Sequence, residues 1–355
     1  MRRLAIQTPR PRLRYYLAAV YGLFIVYASL SPFAGWQAQG LDFASVLRAP
    51  LAQTYTAFDT VVNGLAYWPL GMLFGLALRP HLRGAASVVL ATCGGLALSV
   101  GMEYAQLYLP SRISSNVDIL ANTAGALLGA MTGASIAAQR WFAEQRERRT
   151  QFFNQSGMDY GLALLALWVF AQVNPSLPML GTVFIGEVAH GPFMPPPAEP
   201  FNPAESLVVV LNLLMLGILL LTLLRERRHA LGSLMLVLGG VALIKFVAAA
   251  VLLKSWALLL WLNADAMVGG LIGLLVLAVA LWLPGRALLT LAAGVTLAYL
   301  VVTHGLLDPS LPAAARPLYQ WHYVHLLNYN GLTQTVTLLF PFLFLGYLWH
   351  IRRAV

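Results

Sequence analysis

Apolar residues along this chain fall into about ten long runs separated by short polar connections. They lie near Tyr15 to Leu30, Phe58 to Leu78, Gly84 to Leu107, Val117 to Ala138, Asp159 to Val173, Glu205 to Leu224, Leu231 to Leu253, Ala264 to Leu283, Arg286 to Gly305 and Thr333 to Trp349. A helix needs about 20 apolar residues to cross the hydrocarbon of a bilayer. The pattern therefore predicts an all-α, polytopic membrane bundle of about ten spans. Against it stand a few polar residues in or beside the second, third and fourth runs: Asp59, Asn63, Glu103, Gln106, Arg112, Asp118 and Asn122. A carboxylate at the bilayer centre costs roughly 2.5 to 3.5 kcal/mol, so such residues line a cavity, pair with one another, or carry function.

Composition agrees with a membrane solvent. Of 355 residues, 59% are hydrophobic and 10% charged, and the mean hydropathy is +0.73. The net charge of +9 would suggest nucleic acid in a soluble protein, but topology accounts for it better. Arg2, Arg3, Arg10, Arg12 and Arg14 precede the first run, Arg79 and Arg83 follow the second, and Arg140, Arg146, Arg148 and Arg149 follow the fourth. Arg225, Arg227 and Arg228 follow the sixth, Arg286 the eighth, and Arg352 and Arg353 the tenth, whereas the opposite connections hold only Arg48, Arg112, Lys254 and Arg316. The excess of cations on cytoplasmic loops predicts an even span count with both termini in the cytoplasm, and a nucleic-acid partner is not implied. The first run lacks a small-residue cleavage site and reads as an uncleaved span. The single cysteine, Cys93, excludes an intramolecular disulfide or a cysteine metal cluster.

A polar stretch from Arg140 to Gln155 divides the chain into a first membrane domain, 1–139, a cytoplasmic linker, 140–158, and a second membrane region, 159–355. The second region echoes the first. Tyr27-Ala28-Ser29-Leu30-Ser31-Pro32 resembles Phe170-Ala171-Gln172-Val173-Asn174-Pro175, Asp59 and Gly71 share their separation with Glu205 and Gly217, and Gly94-Gly95 matches Gly239-Gly240. This suggests two parallel four-span repeats plus two extra spans. Glu103 and Gln106 fall opposite Ala248 and Val251, so the second copy reads as a degenerate scaffold. Two outward connections are long: Asn174 to Pro203, rich in proline, and Gly305 to Gly331, rich in aromatics.

With the N-terminus inside, Asp59, Glu103, Arg112 and Asp118 all fall at the outward end of the first domain. Asp59 with Asn63, and Asp118 with Asn122, are four apart, and Glu103 with Gln106 three apart, so each pair shares a helix face. Gly71 with Gly75 and Gly125 with Gly129 have the small-xxx-small spacing of closely approaching membrane helices. Pro69 is placed to kink the second span.

The ordered set Phe58-Asp59-x3-Asn63-x5-Pro69-x-Gly71, then Glu103-x2-Gln106-x3-Pro110-x-Arg112-x5-Asp118-Ile119-Leu120-x-Asn122-Thr123-x-Gly125-x3-Gly129, resembles the VanZ-like family over about residues 20 to 135. The resemblance implies a bacterial inner-membrane protein related to one associated with resistance to the glycopeptide teicoplanin. It implies no established catalytic residues, and the second half lies beyond its core pattern.

Two readings of the polar set stand side by side. In one, Arg112 bridges Glu103 and Asp118 with its planar fork, a buried ion-pair network that fixes three helices. In the other, Glu103, Asp118 and Asp59 are candidate catalytic groups and Asn63, Gln106, Arg112 and Asn122 candidate binding groups of an outward cleft. There a crowded carboxyl held protonated would act as general acid, or the oxygens would take a hard cation. No metal is expected as the principal ligand, and no cofactor. Lys245, inside the seventh run, is expected to pair with Glu205 or Asp265, to approach the first-half acids, or to snorkel. His322 with His325, and His304 with Asp308, do not complete a convincing ligand set. No Gly-rich phosphate loop, HExxH or GxSxG occurs. Beyond the lipid bilayer, the expected partner is a lipid-linked envelope precursor or a glycopeptide. A proton-coupled transporter and a structural, partner-binding membrane protein are the alternatives.

Overall fold

A computed structural model of the chain describes residues 12–50, 57–82, 84–138, 152–154, 157–186, 201–307, 311–320 and 324–352, with side chains left aside at 57–59, 138 and 324–327. Among these residues the fold is all-helical, with no strand beyond two isolated bridges. The helices are α1 Leu13–Leu30, α2 Phe43–Arg48, α3 Ala57–Leu78, α4 Ala85–Gln106, α5 Asn116–Ala138, α6 Met158–Gln172, α7 Pro203–Leu223, α8 Ala230–Leu252, α9 Ala264–Ala280, α10 Gly285–Gly305 and α11 Val324–Ile351. Eight of them are long and apolar enough to cross a membrane, while α6 and α9 are shorter apolar helices. Large hydrophobic residues such as Leu236, Leu271, Leu128 and Val279 are exposed, as they are on helices whose outer faces meet lipid. The chain divides into two compact units, Met1–Arg148 and Arg149–Val355.

In unit 1, α3 packs chiefly against α5, with α1 and α4 alongside. Glycine governs this pairing. A Cβ on Gly71 would land on the Ala126 carbonyl, one on Gly129 on the Trp68 carbonyl, one on Gly125 on the Gly64 carbonyl, and one on Gly133 on the Met72 carbonyl. The matched positions rise together along both helices, so α3 and α5 run parallel with their main chains touching. Without side chains between them the backbones gain dispersion contacts that lipid cannot supply. The spacings of Gly71 with Gly75 and Gly125 with Gly129 thus mark a real interface, and Gly64 and Gly133 extend it. Pro69 lies inside α3 without ending it.

In unit 2, α7 is the central element. Nearly all of its residues from Glu205 to Leu223 are buried, which requires an apolar surface all round; Leu and Val supply it. α9 and α10 pack on α7, and α11 packs on α6. The start of α7 is fixed by its own sequence: the Asn202 side chain accepts from the N–H groups of Ala204 and Glu205, and Pro203 occupies the first turn, where its missing N–H costs nothing. Asn263 caps α9 in the same way through the Ala266 N–H.

The tenth run is longer than its apolar stretch suggested, because α11 begins at Val324. The aromatic-rich connection before it contains a short 3-10 turn, Pro312–Leu318. Pro192, Pro195, Pro196, Pro197 and Pro200, Asp308, His322 and the side chain of His325 lie outside the described residues.

Candidate functional site

The polar residues of unit 1 gather where α4 ends and α5 begins. Glu103, 3% exposed, sits in the last turn of α4. Its Oε2 accepts from the Ser115 N–H at 2.7 Å, while Ser115 Oγ caps α5 through the Val117 N–H at 3.1 Å. The carboxylate therefore ties the end of α4 to the start of α5 by satisfying a main-chain donor that has no helical partner. One helical turn deeper, Asn122 donates to Ser99 Oγ at 2.9 Å, both side chains buried. The Asn122 Oδ1 and the Tyr67 hydroxyl are buried without a protein hydrogen bond of standard length. Asp118 is also buried, and Glu103 and Asp118 are close enough for each to bear electrostatically on Tyr67 and on one another.

Arg112 and Gln106 are used elsewhere. The Arg112 guanidinium donates to the Ala28 carbonyl at 3.0 Å and twice to the Ser31 carbonyl, at 2.7 and 3.2 Å. Gln106 Nε2 donates to the Ser29 carbonyl at 3.0 Å. These carbonyls close α1, whose last turn leaves acceptors unfilled, and a cation suits the negative end of the helix dipole. Partial burial lowers the Arg112 guanidinium from its usual value. The expected Arg112 bridge between Glu103 and Asp118 is thus corrected: among the described residues Arg112 meets no carboxylate, because α1 offers carbonyls in reach of the 107–115 connection.

Of the residues singled out in the sequence, Glu103, Asp118 and Asn122 share one buried cluster, Gln106 and Arg112 sit together on the end of α1, and Asn63 is half-buried on α3. Asp59 lies on the first turn of α3, with its side chain outside the described residues. Tyr67 and Ser99 belong to the cluster but did not stand out by composition. Spacing could have found them: Tyr67 continues the four-residue series from Asp59 and Asn63, and Ser99 precedes Glu103 by four. Among the described residues no group of three or more His, Cys, Asp or Glu is arranged to hold a metal ion.

Unit 2 overturns one further expectation. Lys245, fully buried, neither snorkels nor pairs with Glu205 or Asp265; its Nζ donates to the Gln172 carbonyl at 2.8 Å. That carbonyl closes α6, so the lysine caps a helix end much as Gln106 and Arg112 do for α1. Unit 2 also holds buried polar networks of its own. Trp168 Nε1 donates to Asn212 Oδ1 at 2.8 Å, Asn212 Nδ2 to the Leu180 carbonyl at 2.8 Å, and the Leu180 N–H to Gln172 Oε1 at 2.8 Å. A second buried network joins Asn174, Ser176, Tyr319 and Asn330, with Tyr319 donating to Asn330 Oδ1 at 2.7 Å. Burial raises the Tyr319 hydroxyl pKa, which keeps it a donor.

No curated protein and no solved structure matches the chain. The VanZ/LLP1 family model matches residues 13–137, a stretch that runs from the start of α1 to the end of α5 and contains the whole polar cluster. The first part of the chain is therefore similar to the VanZ/LLP1 family.

Proposed function

We propose that the polar cluster of unit 1 binds the polar head of a cell-envelope component, a lipid-linked saccharide or peptidoglycan precursor or a glycopeptide, at the outward face of a bacterial inner membrane. The chain then crosses the bilayer ten times with both termini in the cytoplasm, α6 and α9 being the short spans. The observation that carries this reading is the pair of buried, unfilled polar atoms, Asn122 Oδ1 and the Tyr67 hydroxyl, beside two buried carboxylates. An unmet buried polar group costs about 1 to 3 kcal/mol, a cost that a hydrogen-bonding ligand removes. The arginine bias of the alternate connections supports the outward placement, and the family match supports an envelope role such as glycopeptide tolerance.

Tyr67→Phe and Asn122→Ala test the reading. Tyr67→Phe removes only an unfilled polar atom and so retains stability, whereas Asn122→Ala also gives up the buried bond to Ser99 Oγ and loses some; in both, glycopeptide susceptibility and envelope composition change at normal protein levels. If both variants, together with Asp118→Asn, leave susceptibility and envelope composition at wild-type values, the proposal is withdrawn.

A structural reading is favoured by a specific observation: Glu103, Gln106 and Arg112 each satisfy a main-chain group. On that reading Glu103→Gln, which keeps an acceptor for the Ser115 N–H, behaves as wild type, and only Glu103→Ala loses stability and phenotype together.

A further inference from the structure

The connection that leaves α1 carries the short helix α2 and is fastened across the end of unit 1 where α4 stops and α5 starts. The Gln37 N–H donates to the Tyr108 carbonyl at 2.9 Å, and Gln39 Nε2 to the Leu107 carbonyl at 2.9 Å. At the other end of this strap Asn116, the first residue of α5, donates through Nδ2 to the Ala49 carbonyl at 2.6 Å. Between these ties the Phe43 ring of α2 stands edge-on to Tyr104 in the last turn of α4, with ring centres 5.6 Å apart.

The ties fix the depth of the strap. α4 has 22 residues and α5 has 23, and both are long and apolar enough to cross a membrane. At about 1.5 Å per residue, each is about as long as the hydrocarbon of a bilayer is thick, roughly 30 Å. Their ends therefore lie at the boundary between hydrocarbon and headgroups, and residues 37–49, bonded to those ends, lie there with them. The depth is the same whichever side of the membrane this end faces.

The outer side of the strap is apolar. Leu41 is 58%, Leu47 49% and Trp36 48% exposed, while Phe43, Ala44 and Val46 are half-buried. The one polar atom of the Trp36 side chain is already spent, because Nε1 donates to the Phe33 carbonyl at 2.9 Å. Its exposed ring thus offers hydrocarbon rather than a donor. α2 has only six residues, too few to hold as an isolated helix in water. At headgroup depth the same side chains reach acyl chains, as those of interfacial helices do, and indole rings collect at that level.

We propose that the strap, residues 36–49, is a lipid-docking surface whose Trp36, Leu41 and Leu47 insert among the headgroups and upper acyl chains of the leaflet beside α4. The proposal is independent of what the polar cluster binds, since none of these three side chains belongs to it.

The test uses the full-length protein in phosphatidylcholine nanodiscs. Leu41→Cys and Leu47→Cys are each made in a Cys93→Ser background, because Cys93 is the one native thiol and is exposed, and are labelled with bimane. Both positions are exposed, so the labelled proteins keep the fold. Emission is quenched in turn by phosphatidylcholine brominated near the top of its acyl chains and by aqueous iodide. The brominated lipid quenches at least twofold more than iodide at both positions. Trp36 gives the same result without a dye, as the difference in emission between the wild type and Trp36→Phe. Any smaller ratio overturns the proposal, whether iodide reaches the strap because it stands in water or neither quencher reaches it because protein covers it.

Discussion

The two units place a parallel helix pair at their centres and hold it together differently. In unit 1, α3 and α5 meet main chain to main chain across glycines on both helices. In unit 2, α7 and α9 meet with glycine mostly on one side at a time: Gly273 faces the Leu213 side chain, Gly217 faces Leu277, and only Gly269 reaches a carbonyl, that of Ser206. The same spacing of small residues thus produces a backbone contact in one case and a socket for a leucine in the other. What decides is the residue opposite, which local sequence does not name. The closing carbonyls of the first helix in each unit make the same point, since Ser29 is met by Gln106 and Gln172 by Lys245.

The largest expected effect comes from breaking the glycine contact. Gly129→Val forces a side chain into the Trp68 carbonyl, with main chain on both sides and no flexible neighbour to move. Overpacking costs typically 1 to 3 kcal/mol and more where nothing yields, so about 3 kcal/mol or more is expected, seen as loss of the monodisperse peak and a collapsed thermal midpoint. Gly240→Val, at a position with nothing within 4 Å, leaves both unchanged.

Next comes the polar tie between α4 and α5. Glu103→Ala strands the Ser115 N–H, at about 1 to 3 kcal/mol for a buried group left unmet, and raises amide exchange at Ser115. Glu103→Gln restores most of the loss. A smaller effect follows Arg112→Ala, about 1.5 kcal/mol, the low end for hydrogen bonds to a charged donor, because water reaches a half-exposed helix end and refills its carbonyls. The measurement is the thermal midpoint, with Arg112→Lys intermediate because a point charge replaces a fork.

The smallest effect sharpens the comparison from the other side. Lys245→Met exchanges a buried cation for an apolar side chain of similar length. Relief of the buried charge and loss of its bond to the Gln172 carbonyl act in opposite directions, so denaturation should move by about 1 kcal/mol or less, in either direction. A loss near 3 kcal/mol would instead mark Lys245 as irreplaceable at the end of α6.

Much of the fold was legible in the chain. In unit 1, α1, α3, α4 and α5 begin and end within a residue or two of the apolar runs, because hydrocarbon thickness dictates length and leaves only the caps to be chosen. The glycine series and the four-residue spacing of Asp118 and Asn122 were also readable, since helical period alone puts each on a shared face. Arg112 was misread because opposite charge seemed the obvious partner; open carbonyls at the end of α1 were not visible in composition. The buried networks of unit 2 were not singled out in the sequence because they lie in Asn, Gln, Ser and Thr spread between α6, α7 and α11, without charges to draw notice.

The sequence by itself determined the solvent and the element list: long apolar runs admit only helices where no water can satisfy a backbone group. It also determined which positions lie on one helix face, since that depends on the helical period alone. Only the tertiary structure decided which helix faces meet, that Glu103 serves Ser115, that Lys245 serves Gln172, and that Glu205 and Asp265 line one cavity. Those choices depend on distances between segments far apart in the chain, set by how whole helices pack rather than by any local pattern.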